Sequence, residues 1–130
     1  MSSVYEMVLR TAIIGGVRFT FDEEGRLETV SMRCPQEAGA KGKRPAGAPK
    51  VAEVKTWLRG YLAGKDDAFP GPWRNPGQTP FAKNVYRVVA KLKAGKTLSY
   101  GEVAAKSGSE GASRAVGNAM GKNPIPLVVP

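Results

Sequence analysis

The stretch SYGEVAAKSGSEGASRAVGNAM, residues 99–120, decides the fold of the second half of the chain. Within it, Ser99 and Glu102 form a capping-box pattern, in which each residue satisfies a backbone donor of the other, and this predicts the start of a helix. That helix is predicted to stop at Gly108, and residues 112–120 are predicted to form another. Two short helices joined by a tight Gly-containing turn indicate a helix-turn-helix candidate.

The second helix of this pair is made almost entirely of small residues, with one long cation, Arg114, among them. The small residues are Ala112, Ser113, Ala115, Gly117, Ala119 and Gly121. Gly117 costs about 1 kcal/mol of helix propensity. Small side chains let a helix backbone approach another surface closely, and that surface is either a nucleic acid or a neighbouring helix. Arg114 is accordingly a DNA-binding candidate or an ordinary surface residue.

Another helix is predicted directly upstream. Thr79 is an N-cap candidate, and Pro80 occupies the first helical position. The apolar residues that recur at helical spacing are Phe81, Val85, Val88, Val89 and Leu92. Gly95 is predicted to end this helix, Asn123-Pro124 to close the last one, and residues 125–129 to form a buried strand.

The first half of the chain has the residue pattern of β-strands. Three strands, residues 8–14, 17–21 and 27–32, are predicted to form an antiparallel meander, because apolar residues alternate with polar ones in the second of them. Turns are placed at Gly15-Gly16 and at residues 22–25.

The rest of this half contains two irregular segments and a helix. Residues 36–49, rich in Gly, Ala, Lys and Pro, are predicted to be a mobile basic loop. A helix over residues 51–62 carries Trp57, is capped by Gly64 and is expected to cover one face of the meander. Residues 70–77 hold three prolines and two glycines and indicate an extended linker. The sequence therefore predicts an α+β fold: a small antiparallel-sheet domain with one covering helix over residues 1–75, and a mainly helical, winged-helix-like helix-turn-helix domain over residues 79–130.

Composition limits the function classes. The net charge of +9, from 20 Lys and Arg against 11 Asp and Glu, favours an anionic partner, first of all nucleic acid, over a merely solvated basic surface. No stretch is apolar enough for a transmembrane helix, and no signal peptide is recognised. The chain has one cysteine, Cys34, and no histidine, which excludes an internal disulfide, His-based acid–base chemistry and the usual zinc sets within these residues. We expect a cytoplasmic protein (nuclear if eukaryotic), with no cofactor and no metal.

Four motifs, in order and spacing, resemble the O6-alkylguanine-DNA alkyltransferases. They are Thr79-Pro80-Phe81 with Val85-Tyr86, residues 95–102, residues 113–120 and residues 123–130. The resemblance is strong over residues 79–130 and loose over the first half, where residues 57–64 look like the family's connecting helix. It implies a monomer that repairs O6-alkylguanine in double-stranded DNA by minor-groove binding, base flipping and single-turnover transfer of the alkyl group to a protein cysteine.

The resemblance also implies roles for individual residues. Arg114 would enter the base stack from the minor groove and fill the gap left by the extruded nucleotide, and the small Ala115 and Gly117 would let the helix sit against that groove. Tyr100 would contact DNA near the flipped guanine and donate its hydroxyl to the leaving base. Ser113 is also implied in DNA binding, and Met120, Pro126 and Val128 are implied to line the alkyl pocket. Asn123 is implied, together with Tyr100, as a catalytic residue.

The family's nucleophile is not among these residues. In the family the stretch Val128-Val129-Pro130 is followed by Cys-His-Arg, so the acceptor cysteine is expected at position 131. Cys34 lies beside Pro35, matches no nucleophile position and is predicted to be a structural or surface thiol. The sequence is part of a longer protein, is broken at a modified cysteine, or ends there and is inactive. The first two are favoured because an unfinished strand at residues 125–129 would leave the core of the domain open.

Three rival classes stay open. An alkyltransferase-like protein has an aromatic residue in place of the cysteine and flags alkylated guanine without transfer, but such proteins often lack the first domain. A helix-turn-helix regulator without base flipping would not explain residues 123–130. A basic scaffold protein would explain the charge and little else.

Overall fold

The computed structural model of the protein describes residues 4–65, 67–92 and 97–129. Its elements are β1 (Tyr5–Thr11), β2 (Gly15–Phe21), β3 (Leu27–Cys34), β4 (Gly39–Lys41), α1 (Val51–Leu62), α2 (Pro80–Ala90), α3 (Tyr100–Lys106) and α4 (Ser113–Gly121). The chain divides into two compact units, Met1–Arg74 and Asn75–Pro130. The fold class is α+β, as predicted. Within the described ranges, no helix is long and apolar enough to cross a membrane.

The first unit is a four-stranded sheet covered by α1. The strand order is β3-β2-β1-β4, and all neighbouring strands are antiparallel. The alternation in β2 buries Val17, Phe19 and Phe21 completely. On α1, Trp57 and Leu58 are buried, and the Trp57 ring meets Phe19 edge-on with the centroids 6.3 Å apart. The predicted meander and its covering helix are confirmed.

The ends of the first hairpin differ from the prediction. Gly15 pairs with Thr11 as the first residue of β2, so the turn lies at residues 12–14 and the prediction of a turn at Gly15-Gly16 is wrong. The Thr11 hydroxyl holds this turn, since Oγ1 donates to the Gly15 carbonyl at 2.9 Å and accepts from the Ile14 amide at 3.0 Å. A side chain that bonds to its neighbouring backbone in this way offsets the lack of turn-forming residues.

Two irregular segments of the prediction belong in part to the sheet. β4 lies inside residues 36–49 and pairs with β1, so the prediction of a loop is wrong for residues 39–41. The predicted linker is likewise attached to β3: the Leu27 amide donates to the Pro72 carbonyl at 2.9 Å, and the Arg74 amide donates to the Leu27 carbonyl at 2.8 Å. Both segments use backbone groups at strand edges, which would otherwise need solvent or another partner.

The turn after β2 is organised by the buried carboxylate of Asp22. Its Oδ1 accepts from the amides of Glu24 and Arg26, both at 2.9 Å, and its Oδ2 pairs with Nε of Arg26 at 2.9 Å. Burial by itself would raise the pKa of Asp22, but the hydrogen bonds from Arg26 and Glu24 outweigh it and lower the pKa below its ordinary value.

Asp22 is therefore expected to make the first unit acid-sensitive. Because the folded pKa is lowered, its contribution is complete above the unfolded pKa of about 4 and is lost as the pH falls through the folded value. Asp22→Asn should reduce the free energy of unfolding by about 1–2 kcal/mol at pH 7, and the difference should shrink below pH 4. Urea titrations followed by Trp57 and Trp73 fluorescence check this, with the exposed Glu23→Gln as a control. A difference that stays constant down to pH 3 would contradict it.

The second unit consists of α2, α3 and α4, which pack against one another. Their buried residues are Val85, Tyr86, Val89, Val103, Ala104 and Val116. The predicted N-cap is confirmed, because the Thr79 hydroxyl accepts from the Ala82 amide at 3.1 Å. The helix it caps ends at Ala90, and Gly95, the predicted end, lies outside the described residues. The helix predicted to stop at Gly108 ends at Lys106 with Ser107 as its C-cap, and the connection to α4 spans residues 107–112.

Candidate functional site

The N-terminal half of α4 presents the predicted DNA-contacting residues to solvent. Ser113, Arg114 and Ala115 are exposed, whereas Val116 is fully buried against the other helices of the unit. α4 begins after Ala112, which provides no side-chain cap for its first turn. The exposed surface of this helix therefore combines small side chains, free backbone donors and one guanidinium.

Tyr100 and Gly117 lie against each other across α3 and α4. A Cβ atom added to Gly117 would stand 3.2 Å from Cε2 of the Tyr100 ring and 3.5 Å from Cδ2. The Tyr100 side chain is nonetheless 53% exposed, so one edge of the ring rests on the glycine while the rest faces solvent. The glycine thus gives Tyr100 its place beside α4, a contact that any larger residue would crowd.

The start of α3 fixes the backbone of Tyr100. The Ser99 hydroxyl accepts from the Glu102 amide at 3.1 Å, and the Glu102 carboxylate accepts from the Ser99 amide at 3.0 Å. The predicted capping box is confirmed. Hydrogen bonds from the Ser99 backbone and side chain lower the pKa of Glu102, because they favour its charged form.

Two side chains on α2 hold the other helices, and neither was singled out from the sequence as a positioning residue. The Tyr86 hydroxyl donates to the carbonyl of Ala119 in α4, and Asn84 Nδ2 donates to the carbonyl of Ser107 at the end of α3 at 3.3 Å. Burial raises the pKa of the Tyr86 hydroxyl. Tyr86 was visible in the Val85-Tyr86 motif, but its partner depends on how α2 and α4 cross.

Asn123 organises the segment that follows α4. Its Oδ1 accepts from the Ile125 amide at 2.9 Å, and its Nδ2 donates to the Val129 carbonyl at 2.6 Å. The Val129 amide in turn donates to the Ile125 carbonyl at 3.0 Å, and Leu127 has a positive φ of 76°. Residues 125–129 therefore form a turn, and the prediction of a buried strand is wrong. Ile125 and Val129 are nevertheless fully buried, as an apolar pattern requires.

Removing the Asn123 side chain is expected to loosen this turn. Asn123→Ala leaves the Ile125 amide and the Val129 carbonyl without their partner and should cost about 2 kcal/mol of local stability. Hydrogen exchange of the Ile125 and Val129 amides should accelerate by about thirtyfold. Asn118→Ala, on the exposed face of α4, is the matched control, and equal exchange in both variants would contradict the role.

The residues predicted to line an alkyl pocket lie close together in sequence. Met120, Pro126 and Val128 are half-buried and lie on either side of Asn123 in sequence. Three cavities, of about 390, 350 and 540 Å3, are lined by residues of the first unit and include none of these three. Their assignment to an alkyl pocket stays a prediction, and Pro130 lies outside the described residues.

Cys34, the only cysteine of the sequence, belongs to the first unit. It is the last residue of β3, is 6% exposed, and its Sγ is within hydrogen-bond distance of Oε1 of Gln36. Its carbonyl accepts from Nη1 of Arg10 at 2.7 Å. These contacts fit the structural role that the sequence suggests.

Positive charge is concentrated in the second unit. Residues 75–130 contain eight Lys and Arg against two Glu, a net charge of +6, whereas residues 1–74 carry +3. A basic helical unit with an exposed arginine on a small-residue helix is the kind of surface that binds phosphates.

Comparison with known proteins also indicates a DNA-binding domain in the second half of the chain. Residues 80–130 match the family described as "6-O-methylguanine DNA methyltransferase, DNA binding domain". A methylated-DNA–protein-cysteine methyltransferase of Methanosarcina acetivorans is 34% identical over 117 residues, which are 90% of this chain and 74% of that protein. The constitutive one of Bacillus subtilis is 39% identical over 82 residues, which are 63% of this chain and 49% of that protein.

Solved structures show the same likeness. A crystal structure of Mycobacterium tuberculosis O6-methylguanine methyltransferase superposes with a TM-score of 0.72 at 28% identity, over 97% of this chain and 75% of that one. A crystal structure of M. tuberculosis OGT in complex with DNA gives a TM-score of 0.71 at 29% identity, over 96% and 74%.

A helix-turn-helix unit, a separate sheet unit and these matches define the class, and the resemblance noted in the sequence is confirmed. The chain belongs to the methylated-DNA–protein-cysteine methyltransferase family. It spans about half the length of the B. subtilis relative, 49%, and 74% of the M. acetivorans one.

Proposed function

We propose that the protein repairs O6-alkylguanine in double-stranded DNA by moving the alkyl group to one of its own cysteines. The observation that carries the proposal is the second unit itself: α4 exposes Arg114 among small residues, and Tyr100 rests on Gly117 of the same helix. The net charge of +6 on residues 75–130 supports a polyanionic partner for this unit. We place the DNA-binding and alkyl-transfer functions in residues 79–130, with the protein acting as a monomer.

DNA binding is assigned to the exposed surface of α4. Small residues such as Ala115 and Gly117 allow the helix to approach the minor groove without displacing the sugar-phosphate backbone. The uncapped first turn, with Ser113 beside it, offers backbone donors and a hydroxyl to a phosphate. The two contacts together fix the register in which Arg114 meets the base stack.

Base flipping follows from where the reacting atom lies. O6 of guanine is inside the duplex, so the nucleotide has to leave the stack, at a cost of a few kcal/mol. Arg114 is long, charged and exposed, and we assign it the place vacated by the extruded base. Tyr100 stands on the same surface, where its hydroxyl would lie near the flipped guanine and the adjacent phosphate.

The transfer is a single displacement. A cysteine thiolate attacks the alkyl carbon, a carbon–sulfur bond forms, and the carbon–O6 bond breaks with its electron pair remaining on guanine. Tyr100 donates a hydrogen bond to the base as this negative charge develops, which favours the transition state. Met120, Pro126 and Val128 would line the space for the alkyl group, and Asn123 holds the turn that carries the last two. The acceptor is the cysteine that the family pattern places directly after Pro130.

The test uses the full-length protein and a duplex with one O6-methylguanine. Each protein molecule should remove one methyl group, the burst should equal the protein concentration, and mass spectrometry should find the methyl group on the cysteine after Pro130. Repeated turnover, or transfer to Cys34, would refute the proposal. Tight binding without transfer, with a tryptophan in the acceptor position, would instead make this a protein that flags alkylated guanine.

A further inference from the structure

The tip of the β1–β2 hairpin is apolar, and the proposed function does not account for it. Its turn is Ala12-Ile13-Ile14, whereas tight turns are normally built from Gly, Asn, Asp or Pro. Ile13 is 72% exposed. The two hydrogen bonds of Thr11 hold this tip in one conformation, so the exposed isoleucine is presented by a fixed backbone.

This tip forms one wall of a groove of about 390 Å3, and α1 forms the other. The apolar part of the groove comes from Leu9 and Leu58, which are buried, and from the half-buried Leu62, with Ile13 at its edge. A surface of this kind binds apolar side chains, because their transfer out of water is favourable.

The rim of the groove is basic. Lys55 and Arg59 on α1 line it, both are exposed, and none of the residues that line it is acidic. Lys55 and Arg59 are four residues apart on α1 and thus share one face of that helix. Arg10 also lines the groove, but its Nη1 donates to the carbonyls of Cys34 at 2.7 Å and Gln36 at 3.2 Å, so its guanidinium is engaged at the end of β3. The groove is therefore an apolar trough with a cationic border on its α1 side.

We propose that this groove is a docking site for an acidic segment of a partner protein that carries large apolar side chains. Carboxylates of the segment would pair with Lys55 and Arg59, and its apolar side chains would cover Ile13 and fill the trough. Charge complementarity selects the acidic partner, and the apolar floor disfavours a nucleic acid, whose backbone has nothing to bury there. The site lies in the first unit and does not depend on the function proposed for the second.

The test uses fluorescence anisotropy of the full chain with a fluorescein-labelled hexapeptide of four aspartates, one leucine and one phenylalanine. The peptide should bind, and Ile13→Ser and Arg59→Glu should each weaken binding by about tenfold. Lys43→Glu makes the same change of charge at an exposed residue outside the groove and should leave binding within about twofold once non-specific attraction is screened at 0.15 M salt. Ile13 and Arg59 are both exposed, so the two variants should fold normally.

Two peptide controls and one competitor separate the alternatives. Replacing the leucine and phenylalanine by serine should abolish binding, and replacing the aspartates by asparagine should do the same. No binding of the acidic peptide, unchanged binding of the serine peptide, or an equal loss in Lys43→Glu would each overturn the proposal. If an undamaged duplex displaces the peptide, and does so equally well from the Arg114→Ala variant, the groove binds DNA instead. This outcome would also overturn the proposal. Loss of DNA repair with intact peptide binding would count against the proposed function alone.

Discussion

Replacing Arg114 with alanine is expected to slow the repair of duplex DNA by about 50-fold. This factor lies within the range that corresponds to an increase of about 2–3 kcal/mol in the activation free energy. The proposed role of its side chain is to occupy the gap in the base stack, and alanine leaves that gap open. The reaction with free O6-benzylguanine should change less than about twofold, because a free base needs no flipping. Single-turnover rates on both substrates, with matched duplex concentrations, measure the ratio.

Two further variants separate the shape of Arg114 from its charge. Arg114→Lys keeps the charge but loses the planar guanidinium. Its rate of duplex repair should lie between the rates of the native protein and of Arg114→Ala. Lys122→Ala removes one charge at the other end of α4, where the side chain is also exposed, and should show only the small loss of a general electrostatic contribution. If Arg114→Ala slows the reaction with the duplex and with the free base by the same factor, Arg114 does not fill a gap in the base stack.

Local signals in the sequence predicted the helices well. Thr79 and Ser99 cap their helices through bonds to residues three positions away, so the information needed to place these ends lies within a single turn. The alternation of β2 is equally local. By contrast, the apolar residues 12–14 suggested a strand, and only the pairing of Thr11 with Gly15 shows that they form the turn.

Non-local contacts account for the remaining errors. β4 is three residues long and fully exposed, so its composition gives no strand pattern, and it exists because β1 has an edge to pair with. Residues 125–129 are apolar enough for a buried strand, but the bonds from Asn123 close them into a turn. Burial was predictable from residue type there, and backbone conformation was not.

For the candidate site, too, the sequence predicted the residues but not the contacts that hold them. Resemblance to a family supplied the identities of Arg114, Tyr100 and Asn123, each from its position in a motif. The support for Tyr100 could not be predicted, since the contact with Gly117 depends on how α3 and α4 cross. The bond from Tyr86 to the Ala119 carbonyl depends likewise on the placement of α2. Sequence patterns therefore name the residues of this surface, and packing between helices determines how they are held.

Gly117→Leu is expected to lower affinity for duplex DNA by about 100-fold while leaving the second unit folded. A Cβ at this position already stands 3.2 Å from the Tyr100 ring, and the rest of a leucine side chain would push that ring away and thicken the surface of α4. Stability should change little, since leucine gains up to about 1 kcal/mol of helix propensity over glycine and the half-exposed ring is free to move. Equilibrium binding to a duplex with O6-methylguanine, together with thermal unfolding, measures both effects.

Gly121→Leu is the matched control, because it makes the same change in the same helix at a glycine with nothing within 4 Å of its added Cβ. It adds bulk to the exposed surface of α4 without displacing Tyr100, so its loss of affinity should be clearly smaller than that of Gly117→Leu, at a similar gain in helix propensity. A double-mutant cycle with Tyr100→Ala then separates the two ways in which Gly117 could act. If the leucine acts by displacing Tyr100, its cost should largely vanish in the Tyr100→Ala background. If it acts by holding α4 away from the minor groove, the full cost should persist. Unimpaired binding by Gly117→Leu in the native background would contradict both, and with them the assignment of this face of α4 to DNA.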